Sequence, residues 1–188
     1  MSSDDYSISM VKANLISVGL FIPLSLLFLI PYGMIWGARK TGSDLTLFYQ
    51  EPLFFIFLMI VGVIAHELLH GFTWICLGDK SWSSIRFGVN WKALAPYAHC
   101  VEPVEISAYR WGAAMPGIVL GLLPFLAGMA TGSGWFILFG YMLAITASGD
   151  LLILWITRGL KSGTLVQDHP ERVGCQVVDM NYELRMKN

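Results

Sequence analysis

Residues 60–71 read IVGVIAHELLHG and place an H-E-x-x-H motif inside an apolar run that is long enough to cross a bilayer. In a helix, His66 and His70 are four positions apart and project from the same face. Two neutral imidazoles on one face can bind zinc, and Glu67 beside them can act as a general base toward water. Because each of these side chains is costly in hydrocarbon, the motif predicts a functional site within a membrane helix.

The composition indicates an integral membrane protein. Of the 188 residues, 55% are hydrophobic and only 13% are charged, whereas soluble domains carry about 25% charged residues. The formal net charge of -1 provides no basic surface for a nucleic acid, so we predict no nucleic-acid partner. The cysteines, Cys76, Cys100 and Cys175, show no C-x-x-C spacing, and we predict neither a disulfide framework nor a cysteine zinc site.

Four apolar segments predict about four transmembrane helices, because each reaches the roughly 20 residues that a spanning helix needs. The segments cover residues 13–36, 52–77, 111–130 and 135–157. The predicted fold class is therefore an all-α polytopic membrane protein. Residues 1–160 are expected to form one four-helix transmembrane domain and residues 161–188 a short cytoplasmic tail. The distribution of Lys and Arg over the loops favours a multi-pass protein of the cell membrane with both termini in the cytoplasm.

Residues 81–106, between the second and third helices, differ in character from the apolar segments. Ile85, Phe87, Val89 and Trp91 alternate with polar or small residues, which predicts a half-buried strand. The following residues, up to position 100, are compatible with a returning strand in a membrane-associated hairpin. Two interpretations remain open at this point. The hairpin either binds an extended peptide along a strand edge or lies at the lipid headgroups, anchored by its aromatic residues.

Counting Lys, Arg, Asp, Glu and His, the apolar segments contain four ionisable side chains: His66, Glu67, His70 and Asp150. Counted from the segment centres at about 1.5 Å per residue, His66 and His70 lie about 2 and 8 Å past the midplane, and Asp150 about 6 Å past it on the same side. A shared divalent cation would offset much of the cost of burying them. We therefore predict Zn2+ bound by His66, His70, Asp150 and one water, with Glu67 as the catalytic base for hydrolysis of a peptide bond.

Other residues are weaker candidates. His99, Asn90 and Pro116 are predicted as substrate contacts, and Pro116 can equally be a packing kink or a local widening of its helix. His99 and Glu102 lie on the hairpin segment and are rival metal ligands. His169, in the polar tail, is expected to have a structural role.

Several of these stretches resemble a bacterial family of small, four-helix, zincin-type membrane metallopeptidases of unknown function. The resemblance covers about residues 50–178 and rests on HELLHG at 66–71, CVEP at 100–103, Pro116, SGD at 148–150 and residues 168–174. The core is also similar to that of the site-2 intramembrane proteases, in which an H-E-x-x-H helix and a distant aspartate bind zinc. The resemblance implies His66, His70 and Asp150 as ligands and Glu67 as base. The chain departs from the site-2 pattern at Ala114-Met115-Pro116 and at Leu151, which follows the aspartate.

The sequence therefore predicts a zinc-dependent, membrane-embedded metallopeptidase that cleaves membrane-anchored or membrane-proximal peptides in or near the bilayer. The alternative is a non-catalytic membrane protein with a structural or sensing metal site that acts by binding partners. A metal transporter is a weaker alternative, because the outer halves of the four segments carry no charged residue. The sequence leaves the oligomeric state open.

Overall fold

The computed structural model of the protein describes residues 5–91 and 95–178, and most of them are helical. The helices are α1 (Met10–Trp36), α2 (Ala38–Leu45), α3 (Leu47–Gln50), α4 (Pro52–Gly78), α5 (Ile106–Pro116), α6 (Leu123–Thr131), α7 (Gly134–Thr146) and α8 (Ser148–Thr157). A π-helix, Gly117–Leu122, joins α5 to α6 directly after Pro116, and a short 3-10 helix covers Trp82–Ser84. Proline lacks the N–H that an α-helix needs at its interior positions, which is consistent with the altered hydrogen bonding that follows it.

Within the part of the chain that the structure describes, three helical stretches are long and apolar enough to cross a membrane. They are α1, α4 and the continuous stretch Ile106–Thr131. The predicted fourth span is not one straight helix, because α7 and α8 meet at an angle of 45°. The length and composition of these helices support a membrane protein, with three candidate spans among the described residues, or four if the bent pair counts as one.

The bend between α7 and α8 lies at Ala147. Its ψ of 3° is far from the helical value, and the N–H of Asp150 bonds back to the Ala147 carbonyl at 3.1 Å. Asp150 therefore lies in the first turn of a new helix. The N-terminal turn of a helix favours a negative charge, so the bend provides a suitable position for a carboxylate inside an apolar segment.

The prediction of an all-α protein was wrong in part, because short strands form a four-stranded antiparallel sheet. Its strands are β1 (Asp5–Ile8), β4 (Val104–Glu105), β5 (Leu165–Asp168) and β6 (Val173–Val177), in the order β1-β6-β5-β4. Tyr6 pairs with Cys175 and Val104 with Val166. Part of the predicted tail is therefore paired with the start of the chain. Strands of two to five residues that pair across the whole sequence carry too little periodicity to be recognised.

The predicted hairpin between the second and third spans is confirmed. Its strands are β2 (Ile85–Asn90) and β3 (Ala95–Cys100), and Arg86 lies opposite His99 in the register. Residues 92–94, between the two strands in sequence, and residues 179–188 of the predicted tail lie outside the described residues.

Many of the buried side chains among the described residues belong to two clusters. One lies where the sheet and the hairpin meet α4 and α5, and it includes Trp74, Cys100 and Tyr109. The other lies between α1, α6 and α7 and includes Phe28 and Tyr141. The first cluster adjoins the residues singled out in the sequence, so the small sheets position the site as much as the helices do.

Glu105 connects the sheet region to the start of α5. Its carboxylate accepts hydrogen bonds from the backbone N–H groups of Ser107 at 2.7 Å, Ala108 at 3.3 Å and Gly163 at 2.7 Å. Partial burial acts to raise the pKa of Glu105, but these hydrogen bonds outweigh it and lower the pKa below its ordinary value. A lowered pKa in the folded state adds stability above the ordinary carboxyl range, and that stability is lost as the pH falls through the folded pKa.

We expect Glu105→Gln to lower the free energy of unfolding by about 1 kcal/mol near neutral pH, the usual size of a lost helix cap. The difference from wild type should shrink as the pH falls, because the wild-type carboxylate is then protonated too. Thermal unfolding in detergent at about pH 7 and about pH 3 measures this difference in stability between the variant and wild type. Glu51→Gln is the matched control, since Glu51 also precedes a helix but makes no capping hydrogen bond with its side chain. Equal losses in both variants would contradict the expectation.

Candidate metal centre

Helix α4 presents His66 and His70 on one face, as the four-residue spacing requires. Both are buried, and their ring centroids are 4.9 Å apart. Asp150 approaches them from the first turn of α8. Its Oδ2 lies 3.0 Å from Nε2 of His66, and its Oδ1 lies 3.4 Å from Nε2 of His70. The structure thus brings the Asp150 carboxylate next to two imidazoles that lie about eighty residues earlier in the sequence.

Glu67 lies beside the same two imidazoles. Among the described residues, His66, Glu67 and His70 form a group whose candidate ligand atoms all lie within 4.8 Å of one another. The Glu67 carboxylate also accepts a hydrogen bond from the backbone N–H of Ala98 on β3. Glu67 is therefore close enough to act at a metal site, yet it is held by the hairpin.

The hydrogen bonding of the site fits a metal ion. Nδ1 of His70 donates to the backbone carbonyl of Gly112 at 2.9 Å, which leaves the lone pair of Nε2 free. Oδ2 of Asp150 is buried, and among residues 5–91 and 95–178 it has no hydrogen-bond partner, although it lies near Nε2 of His66. A buried carboxylate oxygen without a donor is unfavourable. A cation among the two Nε2 atoms and the carboxylate would remove that cost.

Helix α5 supports His70 through a close contact with α4. Trp74 stacks against His70 with ring centroids 5.8 Å apart, and against Tyr109 of α5 with centroids 6.0 Å apart. A Cβ atom at Gly112 would overlap the Trp74 indole, so only glycine allows this approach. Neither Gly112 nor Trp74 was predicted from the sequence. The one signal for Trp74 is its position, one helical turn after His70 on the same face.

The glycine that ends the HELLHG motif allows the hairpin to lie on α4. A Cβ atom at Gly71 would come within 2.8 Å of the Phe87 ring and 3.0 Å of Ile85, both on β2. With the hairpin in this position, β3 places its Ala98 N–H against Glu67. The motif therefore fixes the place of the hairpin as well as the spacing of the two imidazoles.

A cavity of about 1270 Å³ opens onto these residues. Its walls come from the first half of α1, the hairpin, α8 and the loop between β5 and β6. Of the predicted substrate contacts, His99 and Asn90 line this cavity. Pro116 does not line the cavity; it is fully buried and directly precedes the π-helix. The volume exceeds the roughly 300–1,000 Å³ of common small-molecule pockets.

The remaining predicted candidates have local partners. Glu102 accepts a hydrogen bond from Ser84 at 2.6 Å and lies 3.8 Å from Nζ of Lys80. His169 lines the cavity, and its Nδ1 accepts the N–H of Glu171 at 3.1 Å. These contacts connect neighbouring parts of the chain, and they do not direct either side chain toward the two imidazoles of α4.

Asp168, at the end of β5, joins the tail to the hairpin and to α5. Its Oδ1 accepts from the Tyr109 hydroxyl at 2.7 Å, and its Oδ2 accepts from the Cys100 N–H at 3.0 Å. His99 lies beside it, with Nδ1 3.5 Å from Oδ2. Burial raises the pKa of Asp168, and the two hydrogen bonds oppose that change. From the sequence, this aspartate was placed in the tail and in the stretch 168–174 that resembles the family, and no role in the site was predicted for it.

The two outward amides of β3, Ala98 and Cys100, are two residues apart and therefore lie on the same strand edge. One holds Glu67 and the other holds Asp168. This edge of the hairpin thus fixes two acidic side chains of the site. The interpretation of the hairpin as a mere interfacial anchor leaves this arrangement unexplained.

Comparison with known proteins matches the chain to a family model. A family model described as "Putative zincin peptidase" matches residues 59–165, which is more than half of the chain. The matched region includes the H-E-x-x-H motif, the hairpin, the third span and Asp150. Among the curated proteins and the solved structures, none matches the chain.

Proposed function

The chain belongs to the family of putative zincin peptidases, and from this premise we propose that it is a zinc-dependent peptidase that cleaves peptide bonds in or near the membrane. The observation that carries the proposal is the approach of the Asp150 carboxylate to Nε2 of both histidines of the motif, at 3.0 and 3.4 Å. Two imidazoles and one carboxylate leave a coordination position open, which is the pattern of a catalytic zinc site.

We assign His66, His70 and Asp150 as the ligands. Glu67 also lies close to the two imidazoles, so it is the competing candidate for the third ligand. The assignment favours Asp150 because its two oxygens each lie near one Nε2, whereas the Glu67 carboxylate is held by the Ala98 amide. That leaves Glu67 as the base.

A zinc ion held by these ligands would supply a Lewis acid that lowers the pKa of water and polarises a peptide carbonyl. Glu67 takes a proton from water as the water oxygen bonds to the carbonyl carbon. The carbon–nitrogen bond then breaks, and Glu67 returns the proton to the leaving amine. The His70 hydrogen bond to Gly112 keeps the imidazole in one orientation throughout.

The proposed substrate is a membrane-anchored or membrane-proximal peptide. The cavity that holds the site lies between the apolar helix α1 and the hairpin, so a segment from the bilayer and a segment from its surface can both enter it. The orientation proposed from the loop charges places both termini in the cytoplasm. A reporter fused to each terminus tests that orientation.

Metal removal is the direct test of this function. The protein, reconstituted in liposomes, is incubated with a panel of labelled apolar single-span peptides. We expect cleavage of at least one peptide, complete loss of cleavage after chelation, and recovery with about one equivalent of zinc but not with magnesium. A protein that binds one zinc per chain but leaves the whole panel intact would instead support the non-catalytic alternative, in which the metal site serves partner binding.

A further inference from the structure

A second acid–imidazole pair lies in the same cavity as the proposed zinc site. His99 on β3 and Asp168 on β5 both line that cavity, with Nδ1 of His99 3.5 Å from Oδ2 of Asp168. Neither side chain takes part in the proton transfers of Glu67. Both come from the small sheets rather than from the helix that carries the motif.

Asp168 is held in place from two sides. The Tyr109 hydroxyl donates to Oδ1 at 2.7 Å, and the Cys100 N–H donates to Oδ2 at 3.0 Å. The Asp168 side chain is only 12% exposed, and Tyr109 is fully buried. A carboxylate fixed in this way is a rigid acceptor, so it can hold a neighbouring imidazole in one orientation.

His99 is positioned relative to Glu67 by the strand itself. The residue before it, Ala98, donates its backbone N–H to the Glu67 carboxylate, so consecutive residues of β3 hold the base and carry the imidazole. The His99 side chain is 24% exposed, so the ring is partly open to the cavity. Nδ1 faces Asp168, which leaves Nε2, across the ring, for a ligand in the cavity.

We propose that His99 is a catalytic residue that donates a hydrogen bond from Nε2 to the oxygen of the scissile carbonyl, and that Asp168 is its positioning residue. The proposal rests on the peptidase function proposed above. In the imidazolium form both ring nitrogens carry protons, so Nδ1–H can donate to Asp168 while Nε2–H faces the substrate. A fixed, charged donor stabilises the oxygen most when it gains negative charge on the way to the tetrahedral intermediate.

The probe is a phosphinic tripeptide with apolar side chains, in which a tetrahedral phosphinate replaces the scissile amide. The peptide with an ordinary amide at that position is the substrate. Cleavage of the amide and binding of the phosphinate are both measured with zinc-loaded protein in detergent. For His99→Gln we expect kcat to fall by about 10²- to 10³-fold, the usual effect of removing one such donor. KM should stay within about threefold of wild type, since ground-state binding does not use the charged oxygen.

Direct binding of the phosphinic peptide, measured by calorimetry, should weaken in parallel with kcat, while the zinc content and the thermal midpoint stay at wild-type values. Glu102→Gln is the control, because it also introduces a glutamine close to β3, two residues after Cys100, at a side chain that does not line the cavity. It should leave kcat and phosphinate binding unchanged. Asp168→Asn should lower kcat and leave KM unchanged. A merely structural role for Asp168 would not change kcat alone.

The outcomes separate this proposal from the function on which it rests. If wild type cleaves the peptide and His99→Gln keeps both kcat and the affinity for the phosphinate, the role of His99 is overturned and the peptidase stands. If zinc-loaded wild type neither cleaves the amide nor binds the phosphinate, both proposals are overturned together.

Discussion

Replacing Glu67 with Gln is expected to lower kcat by about 10²- to 10⁴-fold while the protein keeps about one zinc per chain. Gln has the same length as Glu, and its amide oxygen can still accept the Ala98 N–H that holds Glu67 in the structure. It cannot take a proton from water, so only the base function is removed. Cleavage kinetics and zinc analysis on the same preparation measure both quantities.

The control for this variant is Glu102→Gln. Glu102 follows the hairpin, and its carboxylate contacts Ser84 and Lys80. It should keep the wild-type rate. Two results for Glu67→Gln would contradict the assignment. An unchanged rate would remove Glu67 from the chemistry, and a loss of zinc would make it a ligand.

Gly112→Ala is expected to damage both stability and metal binding. The new Cβ atom would overlap the Trp74 indole, and overpacking of this kind costs about 1–3 kcal/mol of stability. Relief of the overlap requires α5 to move away from α4. His70 would then lose the hydrogen bond from its Nδ1 to the Gly112 carbonyl, and loss of such a support lowers metal affinity by about 10- to 100-fold.

Thermal unfolding and a competitive zinc titration test the Gly112 variant. Gly149→Ala is the matched control, because a Cβ atom there has nothing within 4 Å even though the residue adjoins Asp150. The control should keep the zinc affinity and the thermal midpoint of wild type. If Gly112→Ala behaves like the control, the close contact of α4 and α5 does not support the site.

The sequence was most informative where regular periodicity or the cost of burial decides the structure. The i, i+4 spacing put His66 and His70 on one face of α4, and apolar length identified the spans. Asp150 stood out because ionisable side chains are rare in such segments. In the structure its carboxylate lies next to both imidazoles. The bend between α7 and α8 that places it there cannot be predicted from apolar length alone.

The sequence was least informative where contacts join distant parts of the chain. The four-stranded sheet pairs Tyr6 with Cys175, and strands this short carry no detectable pattern. The groups that hold the site residues in position also come from distant parts of the chain. The Gly112 carbonyl reaches His70 only because α5 packs on α4, and Asp168 reaches His99 only because the tail folds back onto the hairpin.

Whether both helices supply ligands to one metal centre is decided by the zinc content of Asp150→Ala compared with that of wild type. Two imidazoles of α4 alone are a weak site for zinc, which takes four ligands. We expect about one zinc per chain in wild type and little or none in Asp150→Ala after dialysis. Full occupancy in Asp150→Ala would show that the carboxylate of α8 does not bind the metal, and would contradict a centre built from both helices.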